Sequence, residues 1–189
     1  MAFNDLINRQ TSQKVNAMNV SSLLHELIAD SCPTIHKVRL QSLITAVDAA
    51  TRYQKVTLTG LGRTLPSQAK TKHTIKRMDR LLSNSHLHQE RTDIYEVMAR
   101  HILQTRNEPV ILIDWSQVNE EAGFHILRAS LALHGRAITV YEEIHPKHLS
   151  HNRAVHGRFL KQLQALLPCD CQPIVVTDAG FKNPWFKQV

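Results

Sequence analysis

Apolar residues recur at helical spacing through the first half of the chain and at strand spacing through much of the second. Val20 to Ile28 carries Leu23, Leu24, Leu27 and Ile28 on one helical face, with Ser21 and Ser22 as caps and Cys32-Pro33 as the stop. Leu40 to Ala50 repeats the pattern with Leu43, Ile44 and Val47. Thr57 to Arg63 reads as the first helix of a helix-turn-helix, and Pro66-Ser67 breaks the chain after it. Thr71 to Ser83 then puts Ile75, Met78 and Leu82 on one face and Lys72, Lys76 and Arg80 at i, i+4 and i+8 on another. Asn84 to His88 reads as a turn, Glu90 to Gln104 as a further amphipathic helix, and Arg106 to Pro109 as a module boundary.

Beyond Pro109 the period changes. Val110 to Trp115 has the form of a strand buried on both faces in the middle of a sheet. Phe124 to His134 and Arg136 to Ile144 are rich in strand formers and flank Gly135, which predicts a hairpin. Asn152 to Leu167 returns to helical spacing through Val155, Phe159, Leu163, Leu166 and Leu167, and Pro173 to Asp178 repeats the form of the first strand. The fold class is therefore α/β: a helical N-terminal module over residues 1–107, then a mixed sheet with flanking helices over residues 108–189. Three strands linked in series and then a helical crossover bring the fourth strand back parallel to the first, and the right-handed crossover rule lets it lie alongside.

Composition sharpens the division. The 189 residues are 42% hydrophobic and 21% charged, as in an ordinary globular chain. The longest apolar runs fall far short of the ~20 residues a bilayer crossing needs. Met1 to Asp5 lacks the basic start and apolar stretch of a secretory signal. Three cysteines, Cys32, Cys169 and Cys171, cannot pair evenly and point to reduced thiols in the cytoplasm. Residues 1–107 hold 15 Lys+Arg against 8 Asp+Glu, whereas residues 108–189 hold 8 of each, so the whole net charge of +7 lies in the first module. A basic module of this kind meets a polyanion, and double-stranded DNA fits better than a membrane because no basic amphipathic helix carries large apolar anchors.

Between residues 63 and 80 stand six cations, Arg63, Lys70, Lys72, Lys76, Arg77 and Arg80, against the single acid Asp79. A helix after Pro66 lying in a major groove would reach base edges with its early side chains and grip phosphate with the rest. In the second module, Asp114 and Asp178 end the first and fourth strands and come side by side at carboxyl ends, where ligand sites form in open sheets. Two such carboxylates repel unless a cation lies between them, and hard oxygen ligands suit Mg²⁺ or Mn²⁺. His145, His148, His151 and His156, with Cys169 and Cys171, match none of the usual zinc spacings and read as a solvent- or phosphate-facing loop. Trp115 and Trp185 read as core packing beside the carboxylates, with base stacking as the alternative, and Ser116 has no partner that would make it a nucleophile.

The segments VILIDWS (110–116), LRASLALHGR (127–136) and VTDAGFKNPW (176–185) resemble the IS-four family of bacterial insertion-sequence DDE transposases, as do LTGLGR (58–63) and TKHTIKRMDRLL (71–82). The likeness runs over about residues 20–189 and implies a ribonuclease-H-like core. It also implies a cut-and-paste enzyme that cuts DNA at transposon ends and joins the freed 3′-hydroxyl to target DNA. Carried over position by position, Asp114 matches the family's first metal-binding carboxylate and Asp178 its second. The third, a glutamate in a Tyr, Arg, Glu, Lys signature, has no match; Glu142 and Glu143 precede Asp178 and cannot replace it in order.

The resemblance thus implies the first half of a transposase in the nucleoid-containing cytoplasm, inactive alone. Its partners would be transposon-end and target DNA, a second polypeptide half from a shifted reading frame, and a second copy on DNA. A decayed or prematurely stopped copy is the competing origin. The alternative functions are a non-catalytic DNA-binding regulator of transposition and a small self-sufficient metal nuclease.

Overall fold

A glycine permits a close helix contact in the N-terminal part. In the computed structural model, which describes residues 20–104, 106–119, 121, 123–178 and 181, α1 (Val20–Ser31), α2 (Lys37–Tyr53), α3 (Leu58–Thr64) and α4 (Thr71–Leu82) precede the longer α5 (Ser85–Leu103). Thr57 caps α3 by accepting the Gly60 N–H at 3.1 Å. A Cβ on Gly62 would come within 2.5 Å of Ile75 Cα, so only glycine lets α3 lie this close to α4. The Thr74 hydroxyl, buried in that contact, donates to the Gly62 carbonyl. Met78, Leu81, Leu61, Leu65, Ala46 and Ala49 close the small core around it. Arg39 on α2 makes a two-pronged ion pair with Glu90, Nε–Oε2 at 2.7 Å and Nη2–Oε1 at 2.5 Å, which fixes α2 against the first half of α5.

Three expectations about these helices are corrected. Thr74, Met78 and Leu81 form the inward stripe of α4 with Ile75 partly buried, whereas Leu82 is 51% exposed. The i, i+4, i+7 spacing of the stripe leaves Leu82 rotated about 100° away from Leu81. Residues 84–88 are not a turn: α5 begins at Ser85, because Asn84 Oδ1 accepts the Leu87 N–H at 3.1 Å and starts the helix. Ser21 lies within α1 and donates to Asp48 Oδ1 on α2 at 2.8 Å. The chain forms two compact units, the first ending at Glu90 and the second beginning at Arg91, both within the span of α5.

The second unit is built on one sheet. β1 (Val110–Asn119), β2 (Phe124–Leu133), β3 (Arg136–Pro146) and β4 (Ile174–Thr177) lie in the order β3-β2-β1-β4, with α6 (Arg153–Leu166) as the crossover before β4. β1 pairs antiparallel with β2 and parallel with β4, as the strand order of the sequence predicts. Gly135, at φ +74°, makes the turn between β2 and β3 that an L side chain would strain. Asn152 caps α6 through Oδ1, which accepts the Ala154 and Val155 N–H groups. Val155, Phe159, Leu163 and Leu166 then bury against Ile111, Ile113, Leu127, Ala129 and Leu131, together with Ala99 and Leu103 of α5. Each Val, Ile, Leu or Phe among them contributes roughly 1.5–3 kcal/mol by leaving water.

These residues occupy one face of the sheet. On the other, Leu112 is 38% and Val176 44% exposed, so β1 is buried on one face among the described residues and not on both. The described residues cover α5 and α6 on the first face only, which is why alternate positions of an internal apolar strand stay open. Between β2 and β3 the register shifts, with Ser130 opposite Thr139 but Ala129 opposite Tyr141. Val140 is the extra residue of this bulge, and both Val140 and Tyr141 reach the core. No described helix is long and apolar enough to cross a membrane.

Gly62→Ala should destabilise the first unit by about 1–3 kcal/mol, because the added methyl meets backbone rather than a yielding side chain and overpacking outweighs the helix propensity gained. Urea unfolding reads this directly; an unchanged or raised midpoint would contradict the close α3–α4 crossing.

Candidate metal centre and nucleic-acid face

The ladder between β1 and β4 ends with Ile113 opposite Thr177. Asp114 is the next residue of β1 and Asp178 the first residue after β4, and both are solvent-exposed. Neighbouring strands run about 4.8 Å apart, a backbone spacing from which two carboxylates can share one cation or a close metal pair. The donor chemistry therefore fits a hard divalent ion such as Mg²⁺ or Mn²⁺. Among the described residues no group of three or more His, Cys, Asp or Glu could hold a metal ion, so the described donor set at these strand ends stops at two carboxylates.

A third charged group joins this row. Arg128 on β2 is the cross-strand partner of Asp114 and also of Glu142 on β3, and its Nε donates to Glu142 Oε2 at 2.7 Å. Asp114, Arg128 and Glu142 thus stand in one cross-strand row over β1, β2 and β3, acid, base, acid, and Asp178 follows the end of β4 beside them. Sequence reasoning misses Arg128; counting back through the Gly135 hairpin leads to it, but the bulge at Val140 shifts its β3 partner by one residue.

The opposite face behind Asp114 is aromatic. Trp115 donates its Nε1–H to His156 Nε2 at 2.9 Å. Because indole only donates, Nε2 of this histidine is the acceptor and the proton of its neutral ring sits on Nδ1. His145 and His151 also approach Trp115, with ring centroids at 5.7 Å and 6.4 Å. His156 stacks on Phe181 at 4.8 Å between centroids and an interplanar angle of 29°. Burial first, and then the neighbouring His151 and His145, hold His156 below the ordinary histidine range. Glu143 collects two donors: the Tyr141 hydroxyl at 2.6 Å and His145 Nε2 at 2.8 Å. Burial and then this carboxylate raise the Tyr141 hydroxyl above its usual range.

The expected solvent-facing histidine loop is corrected accordingly. His145 belongs to β3 and His156 to α6, both pack on Trp115, and only His148 and His151 are exposed. Cys169 is exposed, Cys171 partly buried and Cys32 buried. Trp115 packs on the core as expected, whereas Trp185 lies outside the described residues. Ser116 is exposed on β1.

In the first unit, Arg63 ends α3, Lys70 stands at the N-cap position of α4, and Lys72, Lys76, Arg77 and Arg80 lie along α4. All six are exposed, and among the described residues none forms an ion pair. The buried stripe of Thr74, Met78 and Leu81 turns this cationic surface outward, so the helix can present positive charge without desolvating it. No protein-family model, curated protein or solved structure matches the chain.

A histidine held below its unfolded value binds fewer protons folded than unfolded. Its stabilising effect is complete above the unfolded value of about 6.5 and is lost as pH falls toward the folded value. Thermal midpoints measured from neutral to mildly acidic pH should therefore fall with pH, and less steeply in His156→Gln. Equal slopes in the two proteins would contradict a neutral, buried His156.

Proposed function

We propose that the chain acts in DNA transposition, as part of a cut-and-paste transposase with a ribonuclease-H-like catalytic core. The basic helical unit grips transposon-end DNA, and Asp114 and Asp178 hold Mg²⁺ or Mn²⁺. What carries the reading is the parallel pairing of β1 with β4, which leaves two exposed aspartates at adjacent strand ends. The strand order β3-β2-β1-β4 and the cationic surface of α4 support it further. The bound ion supplies Lewis-acid charge at the phosphodiester under attack.

The chain's own residues do the rest. Asp114 and Asp178 bind the ion. Arg128, one strand away from Asp114, supplies a fixed positive charge toward a phosphate while Glu142 holds its guanidinium in place. Lys72, Lys76 and Arg80 neutralise backbone phosphates along one helical face, and the N-terminal turn of α4 lies where base edges would be read. A third carboxylate would come from outside the described residues. The alternative, a DNA-binding regulator of transposition without catalysis, draws on the two-carboxylate set of the described residues.

Binding of duplex DNA carrying the element's terminal repeat, followed by fluorescence anisotropy, should weaken steeply with salt. Replacing Lys72, Lys76 and Arg80 by Ala should lower the slope of log K against log salt by about 0.9 for each phosphate that is no longer neutralised. A slope unchanged by the triple substitution would remove α4 from the interface. Residues 1–189 should bind this DNA yet cut it poorly with Mg²⁺. Robust cleavage by this chain alone, abolished by Asp114→Asn, would instead establish a self-sufficient nuclease.

A further inference from the structure

We propose that His156 is a positioning residue for the carboxylate pair: its ring ties the chain just after Asp114 to the chain just after Asp178. The inference rests on the reading of these aspartates as cation ligands. The last residues paired between β1 and β4 are Ile113 and Thr177, so the ladder stops one residue short of both carboxylates. Immediately beyond, Trp115 gives its indole N–H to His156 Nε2, and the other side of the histidine contact is the stacked ring of Phe181. Phe181 is 3% exposed, and its N–H reaches back to the Asp178 carbonyl at 3.3 Å.

His156 is held on a rigid support, since Val155, Phe159, Leu163 and Leu166 of the same helix are all in the core. Packing alone does not call for histidine here. At 5% exposure an imidazole costs desolvation that a phenyl ring would not, and what it adds is the acceptor for Trp115. The clamp therefore joins two strand ends through one directional bond and one ring stack, at the level where the ladder no longer sets their separation. A cation shared by Asp114 and Asp178 depends on that separation, in the way that groups behind metal ligands tune affinity.

The test uses Mn²⁺ alone with the full chain, counting free Mn²⁺ by electron paramagnetic resonance. Asp114→Asn should abolish the site. His156→Leu should weaken Mn²⁺ binding about tenfold. Leu166→Ala, which opens a cavity in the same core far along α6, should lower the thermal midpoint while leaving Mn²⁺ affinity at the wild-type value. If His156→Leu does not fold, Phe181→Leu removes the other half of the clamp and should give the same weakening.

Loss of binding in Asp114→Asn with no greater weakening in His156→Leu or Phe181→Leu than in Leu166→Ala would overturn the clamp and leave the metal reading standing. Unchanged binding in Asp114→Asn would overturn the metal reading and the clamp with it.

Discussion

The parallel ladder between β1 and β4 is the constraint on which the rest depends. Four residues of β4 pair with Val110 to Ile113, and this register brings Asp178, the residue after Thr177, level with Asp114, the residue after Ile113. A slip of one residue would also turn Val175 and Thr177 away from the core face and expose them. The register is held by α6, whose apolar stripe fills the space under β1 and β2, and by the Gln172 and Ile174 N–H groups, which bond the Asn107 and Pro109 carbonyls ahead of β1. The crossover helix and the site are therefore one mechanical unit: what packs α6 also sets the two carboxylates.

The alternation of strand residues then separates two kinds of chemistry onto two faces. Asp114 and Arg128 lie on the open face, where water screens the row of charges and leaves it available to a cation or a phosphate. Trp115 turns to the other face, where burial favours neutral groups and the directional bond to His156. One step along β1 thus changes the environment from solvated carboxylate to packed indole, and both are needed if a charged site is to sit on a rigid base.

Much of this was legible in the sequence, for identifiable reasons. Pro109 and Pro173 mark the starts of the two parallel strands, Gly135 marks the hairpin, and the helical stripe of α6 marks the crossover, so the topology follows from punctuation and period. The two aspartates follow from the topology. Less visible were features that depend on a single residue of rotation or register: Leu81 rather than Leu82 facing inward on α4, Asn84 starting a helix instead of a turn, and Val140 bulging from β3. The His156–Trp115 bond joins residues 41 positions apart, and no local pattern distinguishes a histidine that accepts an indole N–H from one facing solvent. Arg128 was hidden likewise, since its meaning comes from the strand beside it.

Mn²⁺-induced broadening of backbone amide signals in the full chain, followed by nuclear magnetic resonance, tests the central claim most directly. Paramagnetic broadening falls steeply with distance, so a cation held between the two strand ends marks both at once. The account predicts that signals of Asp114, Trp115, Thr177 and Asp178 fade first and together at low Mn²⁺, before those of other acidic residues. Fading centred on one aspartate without the other, or spread evenly over surface carboxylates, would contradict it.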